Sequence, residues 1–529
     1  MKKLMFSILP ALLLALVSCM NTSQESEGGS VRVVLPSSSR ALYSSGHDDV
    51  DSFTVRLLLD EKIINEKSIT KETADTGGAI VFDELEPATY TVEVEGRMSS
   101  KDVLLYFGTE EAKVTAGQDA DCQVKLKKDC QIYNISADAK ELKTACESDG
   151  NAYIFMGADS SVSTNQATPD NYQLANITSG TKIIRGNGGK LVQSTDDNKT
   201  LTTEGGQIKL FNVTGCSTIL EINNLTFTAS STVGTTSTLD GALICVDDGA
   251  TVILKQCLIK DISISRSSKD TSFIYVKNGT LLLENCSFLN NATGSGNGAK
   301  YTECIRIENG AQVEVVSCNF EGNGNAYSTS NAAAIENSGS CRIINTTFKD
   351  NLAQRGGAIM NNDSGSLEIE DSTFTGNANN NTTGYYAKRG GAIFIQGGKV
   401  QIKNTAFTGN ETYGDSQGGE HNTKGEFQKL GGGAISIKTG SLVLQSTRFK
   451  NNSVTSTDSN DAYGYGGAVL VEQSDASLLL KDANGAAMDI ASYINKYMSG
   501  NTTEKADAGK NIYCNGGTIN GTVYTKAWE

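Results

Sequence analysis

The chain has 529 residues, with 45 Lys and Arg against 60 Asp and Glu, a formal net charge of −15. That sign excludes a nucleic-acid partner, since phosphate binding needs a basic face, and two histidines in the whole chain disfavour His-based zinc or Ser-His-Asp chemistry. The 55 glycines show no period of three, which excludes collagen, and the 4 prolines end at Pro169, leaving a proline-free remainder suited to paired strands.

The chain opens with Lys2 and Lys3 before an apolar run over residues 4–17, too short for an ordinary membrane-spanning helix. The run ends in Leu16-Val17-Ser18-Cys19, which resembles the lipobox of bacterial lipoproteins. The resemblance implies that residues 1–18 are a signal peptide and that the Cys19 thiol carries diacylglycerol. Met20, rather than aspartate, follows the cysteine, which points to the outer membrane. Cell-surface display is the expected orientation and a periplasm-facing one the alternative. Residues 19–29 are polar and read as a flexible tether.

Residues 30–128 show short runs of period-two alternation, such as Phe53-Thr54-Val55-Arg56-Leu57 and Tyr90-Thr91-Val92-Glu93-Val94, the pattern of half-buried strands. The stretch Phe82-x2-Leu85-x-Pro87-Ala88-x-Tyr90-x-Val92 resembles a hairpin of prealbumin-like and Cna-B-like sandwiches, with Ala88 in place of the usual glycine. The resemblance implies a β-sandwich that serves as a stalk or spacer.

From residue 129 to 529 the pattern changes. Residues 137–147 read as a helix with Leu142 and Ala145 on its apolar stripe and Ser136 as N-cap. A repeat then begins, in which an aliphatic residue is followed five positions later by phenylalanine and three later by asparagine. It reads Leu283/Phe288/Asn291, Val315/Phe320/Asn323, Ile343/Phe348/Asn351, Ile369/Phe374/Asn377, Ile402/Phe407/Asn410 and Leu444/Phe449/Asn452. Gly356-Gly357-Ala358-Ile359, Gly390-Gly391-Ala392-Ile393, Gly432-Gly433-Ala434-Ile435 and Gly466-Gly467-Ala468-Val469 alternate with it. Spacing within each unit is constant, whereas the interval from asparagine to the next glycine pair varies (residues 352–355, 378–389, 411–431 and 453–465). Constant inner spacing with variable length at one place is what a solenoid of stacked coils produces. In such a solenoid Phe374 and Ile369 point inward, Glu368 and Glu370 point to solvent, and the asparagines stack at a corner that tolerates left-handed φ. The expected fold is thus all-β: a right-handed, single-stranded parallel β-helix behind a small sandwich.

The alternating Phe-x-x-Asn and Gly-Gly-Ala-Ile motifs, over roughly residues 240–470, resemble the repeats of the polymorphic outer membrane protein family best known in chlamydiae. That resemblance implies a surface-associated β-helix acting in adhesion, with a host cell, matrix component or glycan as ligand. The chain departs from the family pattern in its lipobox and in lacking the C-terminal translocator barrel.

Without Cys19, eleven of the 12 cysteines remain, an odd number that no complete disulfide framework accommodates. Cys257, Cys286 and Cys318 each sit two residues before the inward aromatic or its isoleucine equivalent, where later coils carry Thr346, Ser372, Thr405 and Thr447. The expectation is a column of small, buried, free thiols and hydroxyls. Asp247-Asp248 is an isolated acidic pair beside Gly249, and Arg306-Ile307-Glu308 lacks the lysine of the hydrolase Arg-Ile-Lys motif. No catalytic constellation, cofactor site or metal site is recognised, and a carbohydrate-active β-helix enzyme and a structural envelope spacer are the alternative functions. The candidate interaction residues are the aromatics of the variable intervals: Tyr385, Tyr386, Tyr413, Phe427, Tyr463 and Tyr465.

Overall fold

The computed structural model describes residues 28–35, 50–60, 62–76, 78–98, 103–128, 130–135, 138–157, 161–163, 174–186, 188–193, 210–229 and 233–234. It further describes residues 243–265, 271–293, 302–324, 331–379, 389–414, 430–456, 463–504 and 508–529. The chain divides into two compact units, Met1–Gln131 and Ile132–Glu529.

In the first unit, an antiparallel five-stranded sheet runs in the order Lys62–Thr70, Ser52–Leu59, Thr89–Met98, Val103–Lys113, Lys127–Lys128. A three-stranded sheet places Gly29–Val34 between Ala79–Leu85 (antiparallel) and Asp119–Cys122 (parallel). Alternate residues of both sheets are buried, among them Val31, Val33, Val55, Leu57, Phe82 and Val92, so each sheet has one apolar face, as a sandwich requires. The expected hairpin at Pro87 is corrected: Ala79–Leu85 and Thr89–Met98 lie in different sheets, and the segment between them is a crossover. The Tyr90 hydroxyl fixes it by donating to the Glu86 carbonyl four residues upstream, at 2.9 Å, the arrangement of a tyrosine corner.

The second unit is a parallel β-helix of three faces. The first face carries the strand that follows each glycine pair, for example Ile359–Asn361, stacked on Ile335–Asn337 and Ile393–Ile395. The second carries Ser366–Glu370 between Ser340–Ile344 and Lys399–Lys403. The third is an 11-stranded sheet containing Thr373–Thr375 between Thr347–Lys349 and Ala406–Thr408. Parallel registry brings like residues into contact at the inter-strand spacing of about 4.8 Å. The phenylalanines from Phe288 to Phe449 form a continuous stack with ring centroids 4.6–5.0 Å apart. Phe374 is fully buried and Ile369 nearly so. Glu368 is exposed, but Glu370 is half-buried, because Lys403 of the next coil pairs with it.

Beside the phenylalanine stack, the asparagine ladder runs from Asn291 through Asn323, Asn351, Asn377, Asn410 and Asn452. The Asn351 Nδ2 donates to Asn377 Oδ1 (2.9 Å) and to the Phe320 carbonyl (2.9 Å), and the Asn351 backbone N–H also donates to Asn377 Oδ1 (3.2 Å). Each interior amide therefore uses both donors and both acceptor sites. These asparagines do not themselves turn the corner. The left-handed residue lies one position earlier, at Asn290, Gly322, Asp350, Gly376, Gly409 and Asn451, which frees the ladder side chain to point inward. At the glycine pairs, the first residue takes φ of 62–72° (Gly356, Gly390, Gly432, Gly466). A Cβ on the second would meet the next coil's backbone, 2.2 Å from the Gly391 carbonyl oxygen in the case of Gly357.

The N-terminal helix is shorter than expected, Ala139–Cys146, because its cap is Asp138, whose carboxylate accepts from the Lys140 N–H at 2.7 Å; Ser136 lies outside the described residues. Leu142 and Ala145 are buried, as the stripe required. At the other end, helix Ile490–Tyr497 interrupts the last coils. The chain closes with the antiparallel hairpin Ile512–Ile519 and Thr522–Trp528, whose Tyr524 and Trp528 pack against the core.

Candidate functional site

Two regions differ from the repeating scaffold: the corner where coil length varies and the outer surface of the first face. At the corner, the chain does not leave the scaffold directly after the ladder asparagine. Glu411–Gly414, Ser453–Ser456 and Thr502–Thr503 form a short parallel rib, and Leu430–Gly431 pairs with Tyr463–Tyr465 on the way back. Thr412 is buried, accepting from Asn379 Nδ2 (3.4 Å) and donating to the Gly432 carbonyl (2.9 Å). It belongs to the scaffold.

The expected aromatic strip is distributed accordingly. Tyr413 is half-buried in the rib, and its backbone N–H donates to Asn379 Oδ1 at 3.1 Å. Tyr463 lies in the returning strand. Tyr465 is corrected: it is buried against Leu470 and Ala508, with its ring centroid 4.7 Å from that of Tyr513. Pairing of its strand with Gly431 turns it onto the first face instead of into solvent. Tyr385, Tyr386 and Phe427 lie outside the described residues, as does Cys19. Among the described residues, no helix is long and apolar enough to cross a membrane.

The first face carries a second layer that sequence reasoning missed. On the second and third faces outward residues other than Asn223 are exposed or half-buried, as alternation predicts. On the first face the strands Ile335–Asn337, Ile359–Asn361, Ile393–Ile395, Ile435–Ile437 and Val469–Val471 are buried at every position. Their outward residues are Glu336, Met360, Phe394, Ser436 and Leu470. The signal was present: Ile393-Phe394-Ile395 and Val469-Leu470-Val471 are unbroken apolar runs, which mark strands buried on both sides.

Polar groups are seated in this layer. Arg389, 1% exposed, sets its Nε 2.9 Å from both carboxylate oxygens of Glu472 and its guanidinium 5.5 Å from the Phe394 ring centroid. Ser436 Oγ donates to the same carboxylate. Four coils before Glu472, the Asn331 and Asn362 amides donate to Glu336 Oε1 at 3.2 and 3.1 Å. Arg306 Nε and the Tyr275 hydroxyl both reach Glu308 Oε1 at 3.0 Å. The Arg389–Glu472 pairing satisfies buried charge and holds that carboxylate in place. Asp247 and Asp248 form a turn, with the Asp248 N–H on Asp247 Oδ1 at 2.8 Å. Among the described residues, no group of three His, Cys, Asp or Glu is arranged to hold a metal ion.

Inside the solenoid, Cys257, Cys286 and Cys318 are buried in one column with Thr346, Ser372, Thr405 and Thr447. From Cys286 to Ser372 each backbone N–H in the column reaches the next coil's side chain, as from Cys318 to Thr346 Oγ1 (3.3 Å) and from Thr346 to Ser372 Oγ (3.1 Å). The last link is made by Tyr493 from helix Ile490–Tyr497, whose hydroxyl accepts from the Thr447 N–H (3.2 Å) and donates to its carbonyl (3.0 Å). Burial pushes the Tyr493 phenol up. No protein-family model matches the chain, and no curated protein sequence matches it significantly.

Proposed function

We propose that the chain is a lipoprotein of the bacterial outer membrane, anchored through Cys19, whose β-helix presents the segments at its variable corner for adhesion or another surface interaction. The observation that supports this reading is that the longest variable segments of successive coils enter at one corner. The coils keep residue-for-residue registry on all three faces, while residues 380–388, 415–429 and 457–462 enter the sequence at the same corner. A rigid scaffold with variable segments along one edge is the usual arrangement of a recognition surface. Tyr413 and Tyr463 border these segments, and Tyr385, Tyr386 and Phe427 lie within them; tyrosine combines contact area with a polar tip. A host cell, matrix component or glycan is the ligand class that fits. The net charge of −15 speaks against nucleic acid.

The test replaces residues 415–429 with a short Gly-Ser linker. The boundaries follow the rib, since Thr412 and Leu430 belong to paired backbone. The variant keeps the wild-type β circular dichroism spectrum and loses binding to host cells or matrix; undiminished binding removes this segment from the reading. In parallel, Cys19→Ser releases the protein from membranes and abolishes labelling by a palmitate analogue, because two acyl chains bury many CH₂ groups at ~0.8 kcal/mol each. Retained labelling refutes the anchor.

A second reading, a carbohydrate-active enzyme, is favoured by one observation: Glu336 is buried with one carboxylate oxygen lacking a hydrogen-bond partner. Turnover on a polysaccharide panel that disappears in Glu336→Gln supports it, and the same turnover in the variant argues against it.

A further inference from the structure

The thiol column carries an inference beyond adhesion. The described cysteines are free, and most of them stack on residues without sulfur. Cys341 lies between Val313 and Leu367, Cys245 between Asn212 and Tyr275, and Cys514 is paired with Val471. Cys257, Cys286 and Cys318 differ, because three consecutive coils carry a thiol at the same register. The strand residues that follow them pair Leu258 with Ser287 and Ser287 with Asn319. Backbone hydrogen bonds of 2.9 Å from Ser287 N–H to the Cys257 carbonyl and from Asn319 N–H to the Cys286 carbonyl lock that registry.

We propose that this column is a disulfide site inside the solenoid, in which Cys286 bonds either Cys257 or Cys318 and the third thiol stays reduced. Adjacent parallel strands stand about 4.8 Å apart, within the roughly 4.4–6.8 Å Cα separation that a disulfide spans. Cys257 and Cys318 are two coils apart, about 9–10 Å by the same spacing, and cannot bond directly. The Cys286 N–H already lies 3.4 Å from Cys318 Sγ, and Cys286 Sγ points to the Leu254 carbonyl in the Cys257 coil at 3.3 Å. Cys286 stands between the other two thiols, one coil from each, so it is the sulfur that both possible links share and the one that attacks first.

The oxidant is an external disulfide, met as the coils close and before burial is complete. The Cys286 thiolate attacks one of its sulfurs, forming a mixed disulfide and expelling one thiolate. The neighbouring cysteine, losing its proton, then attacks Cys286 Sγ and expels the second. Two protein thiols become one disulfide, and two electrons and two protons pass to the oxidant, which leaves as two thiols. An exported chain meets such oxidants.

The experiment refolds the full chain with oxidised glutathione, alkylates free thiols in denaturant, digests with trypsin without reduction and identifies linked peptides by mass spectrometry. Lys260, Lys277, Lys300 and Arg306 separate the three cysteines onto different peptides, and fragment ions distinguish Cys318 from Cys341, which share the peptide 307–342. Wild type gives Cys257–Cys286 and Cys286–Cys318 links and no Cys257–Cys318 link. Cys257→Ala leaves the second link alone, Cys318→Ala leaves the first alone, and Cys286→Ala leaves neither. Should Cys286→Ala fail to fold, the two flanking variants decide, since each must retain its one predicted link. Three singly alkylated thiols in protein with a native circular dichroism spectrum overturn the proposal, as does a predominant link to Cys304 or Cys341.

Discussion

Replacing Asn377 by leucine, a residue of similar size, tests whether the asparagine ladder holds the coils together. Asn377 Nδ2 donates to Asn410 Oδ1 (3.0 Å) and the Phe348 carbonyl (2.9 Å), and its Oδ1 accepts from the Asn351 amide (2.9 Å) and backbone N–H (3.2 Å). Leucine removes all four bonds: the Asn351 N–H, one Asn351 Nδ2 proton and the Phe348 carbonyl lose this partner, whereas Asn410 Oδ1 still accepts from the residue-377 backbone N–H at 3.0 Å. At a net ~1 kcal/mol per bond, and more for each group left unpaired, the loss is about 4 kcal/mol, reduced by about 1 kcal/mol for the apolar surface that leucine buries. Urea unfolding followed by circular dichroism measures the total. Amide exchange of the segment around Asn351 measures the local effect, because its N–H loses its acceptor. A loss below about 1 kcal/mol with unchanged exchange at Asn351 refutes the reasoning, since the ladder would then be ornament on a core held by phenylalanine alone.

Phe374→Ala opens a cavity in the ring stack and costs ~3–5 kcal/mol, whereas exposed Glu368→Ala stays within about 0.5 kcal/mol; equal losses in urea unfolding would reverse the assigned faces. Tyr493→Phe removes the hydroxyl that closes the thiol and hydroxyl column at Thr447 and costs ~1–3 kcal/mol, read as a lower unfolding midpoint and faster exchange at Thr447. In the N-terminal unit, burial pushes the Glu95 carboxyl up but hydrogen bonds from Arg56 (2.6 Å) and Arg97 (2.8 Å) outweigh it, so the folded value lies below the ordinary 4.5. The folded state then binds fewer protons than the unfolded one, so this stability is present above pH 4.5 and is lost as pH falls through the depressed folded value. Glu95→Gln flattens that acid limb, and an unchanged limb in the variant would assign it elsewhere.

The coils were legible because identical inward residues touch one another, which fixes Leu367, Ile369, Phe374 and Asn377 at constant spacing. The same logic missed the final copy, Met498-Ser499-Gly500-Asn501, since methionine stands in the aromatic position; Met498 pairs with Phe449 and Asn501 joins the ladder. Helix Ile490–Tyr497 was missed for a related reason: it is inserted between a second-face strand and a third-face strand, outside the repeat. The outer layer of the first face escaped because period-two reasoning assigns Phe394 and Leu470 to solvent, and what buries them is tertiary. Tyr465 failed with it. Acidic residues such as Glu368 and Glu370 lie on the outer face as the alternation requires, and Glu370 is only half-exposed because its partner Lys403 comes from another coil.

The ladder also has a polarity. Every interior amide hands its Nδ2 proton to the coil that follows, from Asn291 to Asn323 at one end and from Asn452 to Asn501 at the other, and Asn501 passes its own to Asn511 Oδ1 at 3.0 Å. The side-chain dipoles therefore point one way along the axis and polarise one another. A coil is incomplete until its successor arrives, so a solenoid assembled from its N-terminus carries one pair of unmet donors, an Nδ2 proton and a backbone N–H, that moves forward with each turn. Asn511 is where that front is discharged. Chains cut short anywhere inside the ladder share one end defect, and appending any segment that offers a carbonyl at that corner repairs it.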